Sequence, residues 1–85
     1  MTETLGIQRG VKTIIQALTK KISKIAGSNK QEYVGEALPG SSAGDAVWRI
    51  QKVIWDGNFI TDIKWAGGTG NFTYEWDKRT TYDYS

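Results

Sequence analysis

The chain has no cysteine and no histidine among its 85 residues, and only one proline and one methionine. Without cysteine there are no disulfides and no thiolate metal sites. Without histidine the commonest transition-metal ligand is gone. Ser-His-Asp and Cys-His nucleophile systems cannot be assembled from what remains. Carboxylate pairs are the acid–base chemistry still available, yet every Asp and Glu lies in a polar or turn context, and none sits in an apolar run that would raise its pKa. The expectation is a protein that is not an enzyme and holds no cofactor or metal. Long apolar runs are also missing. No stretch approaches the about 20 apolar residues that span a bilayer, so no membrane span is expected. The opening MTETLGIQRG lacks the basic and then apolar order of a signal peptide. The chain reads as a soluble protein made in a cytoplasm.

Eighty-five residues allow one domain at most. A chain of this size buries only about 60% of the surface its unfolded form exposes, or a little more, which leaves it marginal on its own. Disulfides and structural metals being excluded, the remaining supports are an aromatic core, oligomerisation or docking onto a larger body. Four tryptophans, four tyrosines and two phenylalanines supply the first of these.

Charge is divided along the chain. Residues 1–30 hold Arg9, Lys12, Lys20, Lys21, Lys24 and Lys30 against Glu3, a net of +5, whereas residues 31–85 hold five basic and eight acidic groups, a net of −3. Within the basic part, Gln8 to Ala26 places Val11, Ile15, Leu18, Ile22 and Ile25 at steps of 4, 3, 4 and 3. That spacing predicts one face of an amphipathic helix and is also that of a coiled-coil seam. Gly27, followed by Ser28 and Asn29, fits its C-terminal stop. Three uses of such a helix stay open: packing on the chain's own sheet, association with a neighbouring chain, or contact with an anionic surface through Lys20, Lys21 and Lys24.

Residues 27–46 are rich in Gly, Ser and Ala and read as a hinge, with Tyr33, Val34 and Ala37 as a short extended piece, Pro39-Gly40 as a turn and Ser41 to Asp45 as a loop. Neither GEALPG nor AGGTG has the strand–glycine–lysine–helix context of a phosphate loop. Beyond the hinge, VWRIQKVIWDGNFITDIKW contains three of the four tryptophans around Asp56-Gly57, a strong hairpin signal. A two-residue turn at Asp56-Gly57 pairs Trp48 with Trp65, Ile50 with Ile63 and Ile54 with Phe59 on one apolar face. It leaves Trp55 on the opposite, polar face with Arg49, Gln51, Asp62 and Lys64. On that reading Trp48, Trp65 and Phe59 are core. Trp55 either covers the hairpin end, meets a later strand or contacts a partner, since Trp, Tyr and Arg dominate interface hot spots.

The alternation of FTYEWD predicts a third strand with Phe72, Tyr74 and Trp76 on one side. KRTTYDYS then ends the chain with Tyr82 and Tyr84, aromatics that imply a tail tied to the sheet or to a neighbour rather than frayed. Aromatic platforms for single-stranded nucleic acid need a basic groove beside them, and this half of the chain is net acidic.

The run WRIQKVIWDGNFITDIKWAGGTGNFTYEWDKRTTYDYS resembles the C-terminal module of a group of small proteins encoded by tailed bacteriophages. There a W-R-I-x-K-[IV] strand leads through D-G to I-x-W-A, followed by a glycine-containing loop, an aromatic, W-D-x-R and a terminal Tyr-x-Tyr-Ser. EYVGEALPG fits the same pattern. The resemblance covers about residues 32–85 and is carried by Trp48, Arg49, Ile50, Lys52, Asp56, Gly57, Trp65, Ala66, Trp76, Asp77, Arg79, Tyr82 and Tyr84. The basic segment before residue 30 lies outside it, and Thr73 and Tyr74 replace an acidic residue usual after the third-strand Phe. The resemblance implies a virion component or accessory protein, without distinguishing tail, tail fibre, connector and capsid decoration.

Together these readings predict an α+β protein: a basic helical arm over 1–30, a hinge over 31–45, and an antiparallel β-meander of three or four strands over 46–85. The expected function is that of a small bacteriophage virion structural protein docking on a larger assembly in multiple copies, as a homo-oligomer among other virion proteins. Val11, Ile15, Leu18, Ile22, Ile25, Trp55, Trp76, Arg79, Tyr82 and Tyr84 are the candidate partner contacts. The alternative is a nucleic-acid-binding accessory protein using Lys20, Lys21 and Lys24.

Overall fold

The computed structural model describes residues 17–85. Strands β1 (Thr19–Lys24), β2 (Gln31–Ala37), β3 (Ala46–Asp56) and β4 (Phe59–Trp65) form an antiparallel sheet in chain order. A two-residue strand β5 (Tyr74–Glu75) pairs with the start of β3, at Ala46 and Trp48. A short 3-10 helix (Trp76–Thr81) follows it. The regular structure of the described residues is thus mostly antiparallel β-sheet, with one short 3-10 helix and no α-helix among them, and the α+β expectation is corrected.

The predicted helix fails over its second half. Leu18 and Ile22 are four apart, a spacing that puts residues on one side of a strand as well as of a helix. Here β1 pairs with β2, setting Ile22 opposite Val34, Lys20 opposite Glu36 and Thr19 opposite Ala37. The Gly27 stop is instead a hairpin turn. Ile25 N–H donates to the Lys30 carbonyl at 2.9 Å, Ser28 N–H donates to the Ile25 carbonyl at 3.0 Å, and Gly27 takes φ 75°. Long-range pairing outweighs a weak local propensity. The first half of that helix, with Val11 and Ile15, lies outside the described residues. The expected hinge likewise supplies β2, an inner strand bonded on both sides.

The central hairpin exists but in a different register. Asp56 and Phe59 flank the turn, so Gly57-Asn58 are its central residues; Gly57 has φ 60°, and glycine first is the type II′ preference. Trp55 pairs with Ile60, then Ile54 with Asp62, leaving Thr61 as the extra residue of a β-bulge. From there Val53 meets Ile63 and Gln51 meets Trp65. The odd residue flips the rest of β4, because a one-residue slip exchanges the faces of a strand. Trp65 and Ile63 therefore leave the side of Trp48 and Ile50, contrary to the expected cross-strand pairs, and Ala66 takes the place beside Ile50, its N–H bonded to the Ile50 carbonyl at 2.9 Å. Phe59, expected in the core, is 76% exposed.

One face of the sheet is sealed by the C-terminal segment. Tyr33, Ala37, Trp48, Ile50, Ala66 and Trp76 form the buried cluster, with Ala43, Tyr74, Tyr82 and Tyr84 packed against it. Trp48 meets Trp76 at 6.1 Å between ring centroids, and its indole N–H reaches the Ser42 carbonyl at 2.9 Å. Gly35 makes this possible. A Cβ there would stand 2.5 Å from Trp76 Cε3 and 3.2 Å from Trp48 Cε3, so only a bare backbone lets both indoles lie on β2. The expected third strand shortens to Tyr74–Glu75, after which the chain winds into the 3-10 turn that begins at buried Trp76. The turn is tied to the 41–45 loop by the Asp77 N–H bond to the Ala43 carbonyl, 3.1 Å. The tail then returns beside β4: Trp65 and Ser85 exchange both backbone hydrogen bonds at 3.1 Å, and Ala66 bridges to Tyr84.

Candidate partner-binding face

The opposite face of the sheet has no such seal among the described residues. It divides from base to tip into three bands. At the base, Leu18, Leu38, Ser41, Val47 and Phe72 line a hollow of about 410 Å³. Leu18 and Leu38 flank the first β1–β2 pair, and Val47 sits at the start of β3. Pro39-Gly40 turns the chain as expected, with Gly40 at φ 91° and the Ser41 N–H and hydroxyl both donating to the Leu38 carbonyl, at 3.2 and 2.7 Å.

The middle band is charged. The Arg49 Nε–H donates to Glu36 Oε1 at 2.8 Å, and Lys20 Nζ lies 3.6 Å from Glu36 Oε2. The Arg49 guanidinium also stands 4.8 Å from the centroid of Phe72 and 5.6 Å from that of Trp65. Glu36 and Arg49 are directly opposed on β2 and β3, so the pairing follows from register. The Arg49–Glu36 pair is partly buried and the Lys20 end is exposed; exposed pairs contribute about 0–1 kcal/mol, and the larger effect of this group is to fix the side chains that divide the face.

Toward the tip the face is apolar again, with Ile22 beside Val34, Val53 beside Ile63 and Trp55 beside Ile60. Ile60 and Ile63 are 52% and 51% exposed and Val53 beside them is buried, whereas the exposed Phe59, paired with Asp56, falls on the other side of β4. Trp55 is braced from its own chain. Its indole N–H donates to the Gln31 carbonyl at 2.7 Å, Lys30 Nζ lies 5.6 Å above its ring, and the same ammonium donates to the Gly57 carbonyl. These contacts clamp the hairpin tip to the β1–β2 turn.

The residues singled out in the sequence thus fall in three places. Leu18, Ile22 and Trp55 are on the open face; Ile25 closes the β1–β2 turn. Trp76, Arg79, Tyr82 and Tyr84 are turned into their own chain. Arg79 lies 4.7 Å over the Trp76 ring and donates to the Trp76 carbonyl at 3.2 Å. Tyr82 Oη accepts from the Glu75 N–H at 3.0 Å, and its ring meets Tyr74 edge-on at 4.9 Å. Tyr84 donates to the Arg79 carbonyl at 2.7 Å and packs 5.5 Å from Tyr33. Burial, reinforced by neighbouring Tyr33 and Tyr82, holds the Tyr84 hydroxyl well above the ordinary tyrosine pKa. Lys20, Lys21 and Lys24 are spread along β1, with Lys20 committed to Glu36 and Lys21 opposite Gly35. The exposed group of Ile60, Ile63, Leu38, Val47 and Phe72 was not legible as a surface; the bulge at Thr61 was the missing signal for Ile63, which lies beyond it.

Among the described residues no three or more Asp, Glu, His or Cys side chains cluster in a way that could hold a metal ion, and no helix is long and apolar enough to cross a membrane. No protein-family model, no curated protein and no solved structure gives a significant match to the chain.

Proposed function

We propose that this protein is a small bacteriophage virion structural protein that docks on a larger assembly in multiple copies, and that its docking contact is the apolar tip of the open sheet face. The observation that carries the docking role is the unequal treatment of the two faces. The chain uses its last dozen residues to seal one side and leaves Ile22, Ile60 and Ile63 exposed on the other. Scattered exposed apolar residues are ordinary, but contiguous ones mark interaction surfaces. Here Ile60 and Ile63 sit beside Trp55 and Val53, and Ile22 beside Val34, on neighbouring strands. The clamp on Trp55 holds this tip in one shape before any partner arrives, which lowers the ordering cost of association. The bacteriophage setting rests on the sequence pattern of residues 32–85.

The test is mass spectrometry of purified particles of the encoding phage, with copy number, on wild type and on the Ile60→Ser/Ile63→Ser variant. The wild-type protein is expected in the particle at a symmetric copy number, and the folded variant is expected to be lost from it. Absence of the wild-type protein from particles, together with DNA retention that weakens steeply with salt, would overturn the structural role in favour of nucleic-acid binding.

A further inference from the structure

The apolar tip of the open face is carried by two hairpins, and the ladder between them stops short of it. Pairing of β2 with β3 runs from Glu36–Arg49 to Tyr33–Lys52, whereas β3 continues to Asp56 and keeps its pairing with β4. Val53, Trp55, Ile60 and Ile63 all belong to that two-stranded extension. The other tip residues, Ile22 and Val34, sit lower, in the row where Val34 meets Gln51. Two-stranded ribbons twist more strongly than wider sheets. The β2–β3 ladder therefore does not by itself keep the extension in line with β1 and β2.

Side chains hold it there instead. The Trp55 indole N–H donates to the Gln31 carbonyl at 2.7 Å. The Lys30 ammonium donates to the Gly57 carbonyl and lies 5.6 Å from the centroid of the Trp55 ring. Lys30 is itself fixed at its backbone, where the N–H donates to Ser28 Oγ at 3.0 Å and the carbonyl accepts from the Ile25 N–H at 2.9 Å. One anchored residue of the β1–β2 turn thus grips both the turn and the indole of the neighbouring hairpin.

We propose that Lys30 is a positioning residue for docking: acting through Trp55, it sets the β3–β4 extension against the β1–β2 turn and makes the tip a single apolar surface. The chemistry suits the task. An ammonium has three donors on a long apolar stem, so one side chain can bond a carbonyl and sit over an aromatic face. A neutral stem of similar length keeps the packing and loses both the hydrogen bond and the cation–π contact. In the sequence Lys30 is one more cation of the basic segment; only the approach of the two turns gives it a separate role. That role rests on the tip being the docking contact, and the test separates the two.

The chain has no cysteine, so Asn29→Cys with Asn58→Cys places one spin label on each turn of the full-length protein. Dipolar electron paramagnetic resonance is expected to give one narrow distance with Lys30 in place and a clearly broader distribution with Lys30→Met. In unlabelled protein, Lys30→Met is expected to enter phage particles about three- to tenfold less well than wild type in direct competition, the loss expected when a side chain or two must be ordered on binding. Its urea midpoint should be unchanged, and Lys30→Arg, which restores a cation, should recover incorporation. A distance left narrow by Lys30→Met would overturn the positioning role, and so would a urea midpoint lowered in step with incorporation. The Ile60→Ser/Ile63→Ser variant tells the two readings apart. If it enters particles normally, the tip is not the docking contact; if it is lost while Lys30→Met enters normally, the role of Lys30 alone is overturned.

Discussion

The two faces of this sheet are both rich in large apolar side chains, yet only one is built to be closed. On the sealed face large and small residues alternate. Gly35, Ala37 and Ala66 are the notches, and Trp48, Trp76, Tyr33 and Tyr84 fill the space around them. On the open face the neighbours are Ile22 with Val34, Val53 with Ile63, and Trp55 with Ile60, medium and large side chains without notches. Close packing at interior density needs that complementarity. Burial therefore follows less from hydrophobicity than from whether the backbone leaves room for an incoming ring. A chain too short to build two cores closes one and leaves the other face available.

Substitutions can break this comparison or sharpen it. The largest loss is expected from Trp76→Ala, which removes the ring seated on Gly35. Truncations of buried aromatics cost about 3–5 kcal/mol, enough to unfold most molecules of a marginal domain, and urea denaturation followed by tryptophan fluorescence would measure it. Gly35→Ala attacks the same contact from the backbone side. Overpacking of this kind costs about 1–3 kcal/mol, read as a lower urea midpoint with an unchanged slope. A midpoint unmoved by Gly35→Ala would mean that the notch is not needed.

Tyr84→Phe tests the seal where the tail returns, and its signature is in pH. The folded protein holds the Tyr84 hydroxyl protonated above the ordinary tyrosine pKa of about 10. The unfolded chain releases that proton first as pH rises, so the stability contributed by Tyr84 is complete below about pH 10 and is lost progressively above it. The variant is expected to lose about 0.5–1.5 kcal/mol near neutrality, for the hydrogen bond to the Arg79 carbonyl, and to show a flatter alkaline limb. Melting temperatures from pH 7 to 11 would show both. The smallest stability change is expected on the open face. Ile60→Ser/Ile63→Ser should shift stability by about 0.5 kcal/mol per site or less while removing the protein from assembled particles. A loss as large as that of Trp76→Ala would mean that the open face is part of the core.

Several elements could be read from residue order because their causes are local. Gly57 and the alternation around it announced a hairpin, Pro39-Gly40 announced a turn, and the aromatic tail announced a segment that is tied down. What went astray depended on pairing between distant residues. The run Leu18 to Ile25 satisfies a helical spacing, and nothing inside it reveals that Gln31 to Ala37 will pair with it. Arg49 and Glu36 carry no sign of each other until β2 and β3 are in register. Trp48 and Trp65 looked like partners, and one unpaired residue, Thr61, sends them to opposite faces.

By itself the sequence determined the chemistry this protein can use: no thiol, no imidazole, an aromatic core and turns placed by Gly and Pro. Tertiary structure decided which aromatics became that core. A strand has two equivalent sides, and the choice between them is made by register, a bulge and the room that Gly35 leaves for Trp76.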